Sequence, residues 1–202
     1  MQSDQMTVPI PVSHDFPYSI YHNHKILFLT YNIGGVTVTA VNRNEYIQQF
    51  HKLLYTYITE ENNVDIIVIG LQEIVDLNQV GNIIYEHNEH IQWTELFNEL
   101  LCPSNTNENN DNHQHNTYTE IAHQHMVGLY QSIYCKSQHH QHITNIHTQQ
   151  ISTGYRGLTG NKGSVSISFQ LYNTHICCIN VHLPAHQSYL NARNNDCHTI
   201  LQ

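Results

Sequence analysis

The chain has 202 residues, of which 40% are hydrophobic and 11% are charged, so it is long enough for one globular domain with a sizeable core. Its formal net charge of −9 argues against general nucleic-acid binding. Only one of the 16 acidic residues, Asp196, lies beyond position 120, so the basic residues of the C-terminal part can still face an anionic ligand.

Cysteine and histidine usage does not predict a zinc site. The five cysteines are odd in number and lack metal-binding spacing, and most of the 18 histidines lie in tracts rich in Gln, Asn and His. We find no signal peptide and no apolar run long enough to cross a bilayer. We therefore expect a reduced, cytoplasmic protein.

Two domain segments are expected. Residues 1–23 are polar and contain three prolines, which predicts a flexible N-terminal arm, and residues 24–202 are expected to fold together. A nearly continuous apolar run predicts a buried strand at 25–31, which ends at Asn32. Taken alone, Asn32 is more typical of a turn.

The helical spacing of apolar residues predicts amphipathic helices at 43–59 and 91–101. An apolar run at 64–71 predicts a second buried strand, which Gln72 and Glu73 follow directly. A carboxylate at the end of a buried strand needs a partner, and Mg²⁺ prefers hard oxygen ligands. Glu73 is therefore the leading candidate for a metal ligand, and the alternative is a glutamate that begins a helix.

Two low-complexity tracts rich in Asn, Gln and His lie near 103–119 and 137–150. We expect both to be polar surface inserts, the first of them disordered. The segment between them, at 127–136, is expected to be a strand.

Four glycines recur at every third position between 154 and 163, around Asn161 and Lys162. Glycines allow backbone N–H groups to approach an anion closely, so this pattern predicts a phosphate-binding loop. The glycines alone favour a simpler interpretation, a hairpin with a solvated Lys162.

The segment after the glycines strengthens the phosphate interpretation. Alternation at 164–171 predicts a half-buried strand, and the apolar run 176–181 predicts a central strand covered on both faces. His182 ends that run, His186 follows four residues later, and a helix from Ser188 onward would carry Arg193 and Asn194. Strand ends are where open α/β folds place their chemistry.

The motifs G-N-K-G, H-L-P-A-H and R-N-N-D, after T-Y-N and L-Q-E, resemble the inositol polyphosphate 5-phosphatase catalytic domain. That domain belongs to the DNase-I-like, or endonuclease/exonuclease/phosphatase, superfamily. Tyr31 stands where the family has Trp. The resemblance implies a DNase-I-like α/β sandwich that is incomplete, at roughly the first half to two-thirds of the domain. The family continues with G-D-x-N, P-x-W-C-D-R and S-D-H motifs, which these residues do not contain.

The resemblance also implies an activity, the Mg²⁺-dependent hydrolysis of the 5-phosphate monoester of a phosphoinositide or an inositol polyphosphate. Asn32 and Glu73 would hold the metal. His182 would contact the phosphoryl oxygens, with His186 as the second catalytic histidine. The implied substrate-binding residues are Asn161, Lys162, Arg193 and Asn194. The implied partners are the inositol phosphate substrate and an anionic membrane surface, which the protein would contact peripherally.

Two alternatives remain open at this stage. The chain could be an inactive fragment that binds a phosphoinositide or a protein partner. It could also be another DNase-I-like phosphohydrolase, such as a nuclease or a sphingomyelinase, although the motifs and the net charge argue against this.

Overall fold

The computed structural model describes residues 5–9, 23–39, 41–58, 64–77, 88–102, 118–154 and 159–202. These residues form eight strands, four α-helices and one short 3₁₀ helix. In chain order they are β1 (Gln5–Pro9), β2 (Asn23–Asn32), α1 (Arg43–Ile58), β3 (Ile66–Gln72), α2 (Glu89–Leu101), β4 (Tyr118–Met126), β5 (Leu129–Lys136), α3 (Ser137–His140), β6 (Ile143–Gly154), β7 (Thr159–Leu171), β8 (Thr174–His182), the 3₁₀ helix (Gln187–Tyr189) and α4 (Leu190–Ile200).

The strands form two sheets. The first sheet has the order β1-β2-β3-β5-β4, and the second has the order β6-β7-β8. Strands β2 and β3 are parallel, whereas the other described pairs are antiparallel. The parallel register places Asn32 opposite Gln72, so β2 and β3 end at the same edge of the first sheet.

Strand β3 shows why a core forms on each face of the first sheet. Successive side chains of a strand point to opposite faces. Ile67 and Ile69 pack against helices α1 and α2, whereas Ile66 and Val68 pack against the second sheet. The strand is therefore buried on both faces, as its continuous apolar run predicted.

Helices α1 and α2 lie on the outer face of the first sheet and confirm the predicted amphipathic helices. Their contact is aromatic: the ring of Phe50 meets Phe97 and Trp93 edge to face, with centroid distances of 5.1 and 6.0 Å. Such pairs stabilise a core beyond the area they bury. Helix α2 begins at Glu89, slightly earlier than predicted.

The inner face of β7 confirms the predicted half-buried strand. Val165, Ile167, Phe169 and Leu171 are fully buried or nearly so, and the last three pack against the first sheet. The next strand follows after a tight turn in which Tyr172 has a positive φ of 51°.

The prediction that β8 is covered on both faces was wrong. Cys178 and Asn180 are buried, but Ile179 and Val181 on the opposite face remain 40% and 39% exposed. Strand β8 lies at the edge of the second sheet, and in the described ranges this outer face is open. An apolar run alone cannot show which of its faces has a covering layer.

Two polar segments form strands that the sequence did not indicate. Strand β4 pairs with β5, and residues 137–150, predicted as a polar insert, form α3 and most of β6. Both strands lie at sheet edges. Many side chains of β6 are exposed and most of those of β4 are only partly buried, so neither strand has an apolar signal. Residues 103–117 of the other predicted insert lie outside the described residues.

Strand β1 lies within the segment that the sequence assigned to a flexible arm. It pairs antiparallel with β2 and extends the first sheet by one edge strand. Residues 1–4 and 10–22 of that segment lie outside the described residues. All five cysteines are free, and none of the described helices is long and apolar enough to cross a bilayer.

Candidate active site at the strand ends

Four predicted site residues lie near the edge where β2, β3 and β8 end and β7 begins. Asn32 ends β2, Glu73 follows β3, Lys162 lies in β7 and His182 ends β8. We call these four residues the strand-end site. Register explains the arrangement, because Asn32 pairs with Gln72 and Gly163 pairs with His182.

A charged cluster forms within the strand-end site. The Lys162 ammonium nitrogen is 2.7 Å from Nε2 of His182, and the same Nε2 is 3.4 Å from Oε1 of Glu73. The cluster therefore joins the two sheets. Glu73 is at least 89 positions away in sequence from each of its two partners. An ammonium group only donates, so His182 accepts this hydrogen bond through an unprotonated Nε2.

Burial lowers the pKa of His182, and the Lys162 charge lowers it further, while the Glu73 carboxylate acts in the opposite direction. Burial also lowers the pKa of Lys162, and Glu73 again opposes the shift. The neutral imidazole agrees with the hydrogen bond from Lys162. Protonation of Nε2 would abolish that acceptor and turn the imidazole into a donor toward Glu73.

Glu73 lies in a strained turn that is fixed by backbone hydrogen bonds. Its φ is +54°, a value that non-glycine residues seldom adopt. The amides of Ile33 and Gly35 donate to the carbonyls of Gln72 and Glu73, each across 2.8 Å. These bonds hold the segment after β2 against the segment after β3, so Glu73 is oriented by the backbone around it.

Asn32 also lies in an ordered turn, because its Oδ1 accepts a hydrogen bond of 2.9 Å from the amide of Gly34. An amide oxygen has a second lone pair, so this bond leaves Asn32 able to bind a cation. Amide and carboxylate oxygens are the donors that Mg²⁺ and Ca²⁺ accept. The donor set at Asn32 and Glu73 thus fits a hard divalent cation.

The glycine-rich segment does not form the loop that was predicted around Asn161 and Lys162. Residues 159–163 already belong to β7, and residues 155–158 lie outside the described ranges. Asn161 Oδ1 accepts a hydrogen bond of 2.7 Å from the Thr159 hydroxyl, so it supports the hairpin. Lys162 instead reaches across to His182.

Close packing explains two of the glycines. A Cβ on Gly154 would lie 2.3 Å from Asn161 Oδ1, and one on Gly163 would lie 2.0 Å from the Ile151 carbonyl oxygen. Gly163 also has a φ of +139°. Both positions require glycine for the β6–β7 pairing, whatever their relation to a ligand.

Arg193 holds the loop after β8 in place. Its Nη1 donates to the carbonyl oxygens of Pro184 and His186, at 3.1 and 2.6 Å. The guanidinium therefore fixes the H-L-P-A-H segment onto α4, and this positioning role differs from the direct substrate contact that the sequence suggested.

His186 and Asn194 are exposed, and neither makes a hydrogen bond or ion pair with the strand-end site in the described structure. His186 has a φ of +69°, and its ring lies 6.4 Å from that of Tyr189. The structure therefore brings together Asn32, Glu73, Lys162 and His182. The other predicted residues, Asn161, His186, Arg193 and Asn194, are not part of this cluster.

Asn180, a buried residue two positions before His182, was not predicted from the sequence. Its Nδ2 donates to the carbonyls of Leu71 and Tyr130, each across 2.9 Å, and its Oδ1 accepts from Gln72 Nε2 across 2.6 Å. Gly70 leaves room for it, because a Cβ there would lie 3.0 Å from Asn180 Cγ. The available signal was a single amide inside an apolar strand, which must find partners when buried.

Two sheets packed face to face, helices on the outer face and polar residues at the strand ends define a DNase-I-like α/β sandwich. A family model described as endonuclease/exonuclease/phosphatase family 2 matches residues 29–202, so the chain belongs to this family.

Curated relatives give a more specific result. The chain is 27% identical over 180 residues to type II inositol 1,4,5-trisphosphate 5-phosphatase of Mus musculus, which covers 89% of this chain and 16% of that protein. It is 33% identical over 131 residues to inositol polyphosphate 5-phosphatase K of Mus musculus, which covers 63% of this chain and 24% of that protein.

The same family is found among solved structures. The inositol polyphosphate 5-phosphatase domain of SPsynaptojanin, in complex with inositol (1,4)-bisphosphate and calcium ion, matches with a TM-score of 0.65 and 25% identity. The match covers 98% of this chain and 46% of that one. These comparisons confirm the resemblance to inositol polyphosphate 5-phosphatase domains, and the chain spans less than half the length of the relatives it matches.

Proposed function

We propose that this chain provides part of the active site of an Mg²⁺-dependent inositol polyphosphate 5-phosphatase, which hydrolyses the 5-phosphate monoester of a phosphoinositide or a soluble inositol polyphosphate. The observation that carries the proposal is the cluster of Glu73, His182 and Lys162 beside Asn32 at the strand ends. The named relatives act on inositol phosphates, which supports this substrate class.

Asn32 and Glu73 are the proposed metal ligands. Bound there, Mg²⁺ would neutralise negative charge on the phosphoryl group and polarise it for attack by water. The calcium ion in the related crystal structure supports a divalent cation in this family. The turn bonds at Gly34 and Gly35 orient both ligands before a cation arrives.

Lys162 and His182 are the proposed phosphate contacts. The ammonium of Lys162 provides positive charge that is partly shielded from water, so its attraction to a phosphoryl oxygen is stronger than at a free surface. When Lys162 turns to the phosphate, Nε2 of His182 is released from its hydrogen bond. His182 can then take up a proton and donate a hydrogen bond to a phosphoryl oxygen.

Arg193 and Asn161 are proposed to support these contacts. Arg193 fixes the loop that contains His186, and Asn161 fixes the start of β7, from which Lys162 projects. His186 and Asn194 both follow β8 in the chain, and both are exposed. We propose them as contacts to more distant parts of the substrate.

A lipid-borne substrate would require membrane contact. Tyr189 and Leu190, three and four residues after His186, are 53% and 58% exposed. Exposed apolar side chains in the segment after H-L-P-A-H favour contact with a membrane surface. We propose peripheral membrane contact of a cytoplasmic protein through this segment. Binding of Leu190→Ser to vesicles that contain a 5-phosphorylated phosphoinositide should be weaker than that of the unaltered chain, and equal binding would contradict the proposal.

The experiment that tests the activity is phosphate release from a 5-phosphorylated phosphoinositide by the purified chain, with Mg²⁺ or with EDTA. Glu73→Gln should lower the Mg²⁺-dependent rate by at least ~10²-fold, as for loss of one charge-stabilising group. Glu45→Gln, which alters an exposed carboxylate of α1, is the matched control and should retain the rate. Equal rates in the two variants, or release that persists in EDTA, would contradict the assignment.

Binding without turnover is the second candidate function. It is favoured by one observation, the contact between Lys162 and His182, which offers a cation and an imidazole to a phosphate group without a metal. No release by a folded chain, together with vesicle binding that Lys162→Met abolishes, would support this candidate over the enzyme.

A further inference from the structure

A second polar cluster lies at the opposite end of the first sheet from the strand-end site. His24 is at the start of β2, Asp65 directly precedes β3, and His139 lies in α3 after β5. We call these three residues the rear cluster. They are only 4%, 6% and 8% exposed. Strand β3 separates Asp65 from Glu73, a distance of roughly 20 Å or more at ~3.3 Å per residue.

The backbone fixes Asp65 between two strands. Its amide donates to the Lys25 carbonyl across 2.8 Å, and its carbonyl accepts from the Lys136 amide across 2.9 Å. The Lys25 amide in turn donates to Oδ2 of Asp65 across 3.0 Å. A carboxylate held in this way needs no rearrangement of the main chain before it binds a ligand.

The ligand atoms of the rear cluster have the spacing of a metal site. His139 Nε2 is 3.2 Å from Asp65 Oδ1, and His24 Nδ1 is 3.4 Å from Asp65 Oδ2. The three potential ligand atoms lie within 4.8 Å of one another. Tetrahedral bonds of ~2.0–2.1 Å place ligand atoms roughly 3.3 Å apart. Each imidazole already meets one oxygen of Asp65 at about that spacing, but the two oxygens differ, so the remaining separations among the three ligand atoms, at most 4.8 Å, have to shorten.

Tyr172 supports the two imidazoles from behind. Its hydroxyl is 3.2 Å from Nδ1 of His139, which leaves Nε2 directed at Asp65. Its ring stacks on that of His24 at a centroid distance of 5.5 Å, and the two histidine rings meet edge to face at 4.9 Å. Metal-binding histidines are generally oriented by a hydrogen bond at the ring nitrogen that does not bind the metal, and the Tyr172 hydroxyl provides this contact for His139.

Lys136 is the group with which a metal ion must compete. Its ammonium nitrogen lies 3.7 Å from Asp65 Oδ1, and its side chain is 5% exposed. The Gln138 amide nitrogen also lies 3.2 Å from His139 Nε2 and has to turn away when that atom binds a cation. Without a metal, the rear cluster is therefore a buried ion-pair and hydrogen-bond network.

We propose that His24, Asp65 and His139 bind a divalent transition-metal ion of the Zn²⁺ class, at a site separate from the strand-end site. Two imidazole nitrogens and one carboxylate oxygen suit Zn²⁺ and its Co²⁺ analogue, whereas Mg²⁺ prefers oxygen ligands alone. A fourth position is open to water once the Lys136 ammonium is displaced. Such an ion ties the starts of β2 and β3 to α3 and stabilises this end of the sandwich.

The test measures Zn²⁺ affinity by titration against a competing chelator, and coordination geometry by the visible absorption of the Co²⁺ form. The chain carries Glu73→Gln throughout, so that the strand-end carboxylate contributes no ligand. His139→Gln should weaken the tight site at least ~10-fold and abolish the tetrahedral Co²⁺ bands. His140→Gln removes an exposed histidine of the same helix and should leave both unchanged.

A second variant is expected to change the Zn²⁺ affinity in the opposite direction, so the proposal can still be tested if His139→Gln does not fold. Lys136→Met removes the competing cation and should strengthen Zn²⁺ binding, with a higher melting temperature in Zn²⁺ than in EDTA. Equal affinities for His139→Gln and His140→Gln would overturn the proposal, because surface histidines would then explain the binding. Unchanged or weaker binding by Lys136→Met would overturn it as well.

Discussion

The side-chain amide of Gln72 donates a hydrogen bond of 2.6 Å to Oδ1 of Asn180, and this contact joins the two sheets directly beside the strand-end site. Gln72 ends β3 in the first sheet, and Asn180 lies in β8 of the second. The distance between Glu73 and His182 therefore depends on how this amide pair holds the sheets together.

Asn180→Ala should destabilise the chain by about 1–3 kcal/mol. The substitution removes one hydrogen bond from each of the buried carbonyls of Leu71 and Tyr130, and the loss of two buried hydrogen bonds costs free energy of that order. Urea unfolding gives the free energy of unfolding. Asn194→Ala, at an exposed position of α4, is the control and should have little effect; similar values for the two variants would contradict the structural role.

Gly163→Ala should be more destabilising than Gly34→Ala, although both residues have positive φ values of 139° and 72°. At Gly163 the new methyl group meets the Ile151 carbonyl at 2.0 Å, whereas at Gly34 it meets nothing within 4 Å. Gly34→Ala thus measures backbone strain alone, about 1 kcal/mol. The comparison is a pair of thermal unfolding curves, and a smaller effect at Gly163 would show that β6 and β7 separate easily.

Lys162→Met should raise the pKa of His182 toward its ordinary value, because it removes the ammonium that lies 2.7 Å from Nε2. Lys52→Met, which removes an exposed lysine of α1, should leave that pKa unchanged. NMR titration of the imidazole in EDTA measures both. A fall in the pKa of His182 after Lys162→Met would contradict the described contact.

The lowered pKa of His182 also gives stability a defined pH dependence. The folded-state pKa of His182 lies below the unfolded value of about 6.5. As the pH falls, the unfolded chain therefore binds a proton at this histidine before the folded chain does. The stability contributed by neutral His182 is present above that unfolded pKa, and it is lost as the pH falls through the folded pKa. His182→Gln should flatten this part of a plot of melting temperature against pH; an unchanged slope would mean that other groups determine it.

Arg193→Lys should loosen the segment after β8 while preserving the charge. A lysine cannot reproduce the two hydrogen bonds from one guanidinium nitrogen to Pro184 and His186. Hydrogen exchange of the amides at 183–187 should therefore be faster, with little change in the rest of β8. If exchange is unchanged and only substrate affinity falls, Arg193 contacts the substrate and does not position the loop.

Hydrophobic pattern was sufficient to predict the buried elements. The runs that became β2 and β3 and the amphipathic helices α1 and α2 were located from spacing alone, because each must bury an apolar face. The same logic identified Asn32, Glu73 and His182 as polar residues at the ends of buried strands.

The strands at the sheet edges were the main elements that the sequence did not predict. Strands β4 and β6 are each paired on one side only within the described sheets and carry polar side chains that are at most partly buried, so their sequences resemble loops. What makes them strands is hydrogen bonding to β5 and β7, and the local sequence does not report which segment a strand will meet. The loop conformation expected at Asn161 and Lys162 was wrong for a related reason, since both lie in β7, which pairs with β6 and β8, whereas phosphate binding by these residues stays a prediction.

The sequence by itself therefore determined which segments are buried and which side chains stand at their ends, because burial of apolar surface follows from local composition and spacing. Only the tertiary structure decided that Lys162 meets His182, that Arg193 holds the loop and that His24, Asp65 and His139 converge. These contacts join segments far apart in sequence. They depend on strand order, register and sheet packing, which no single segment encodes.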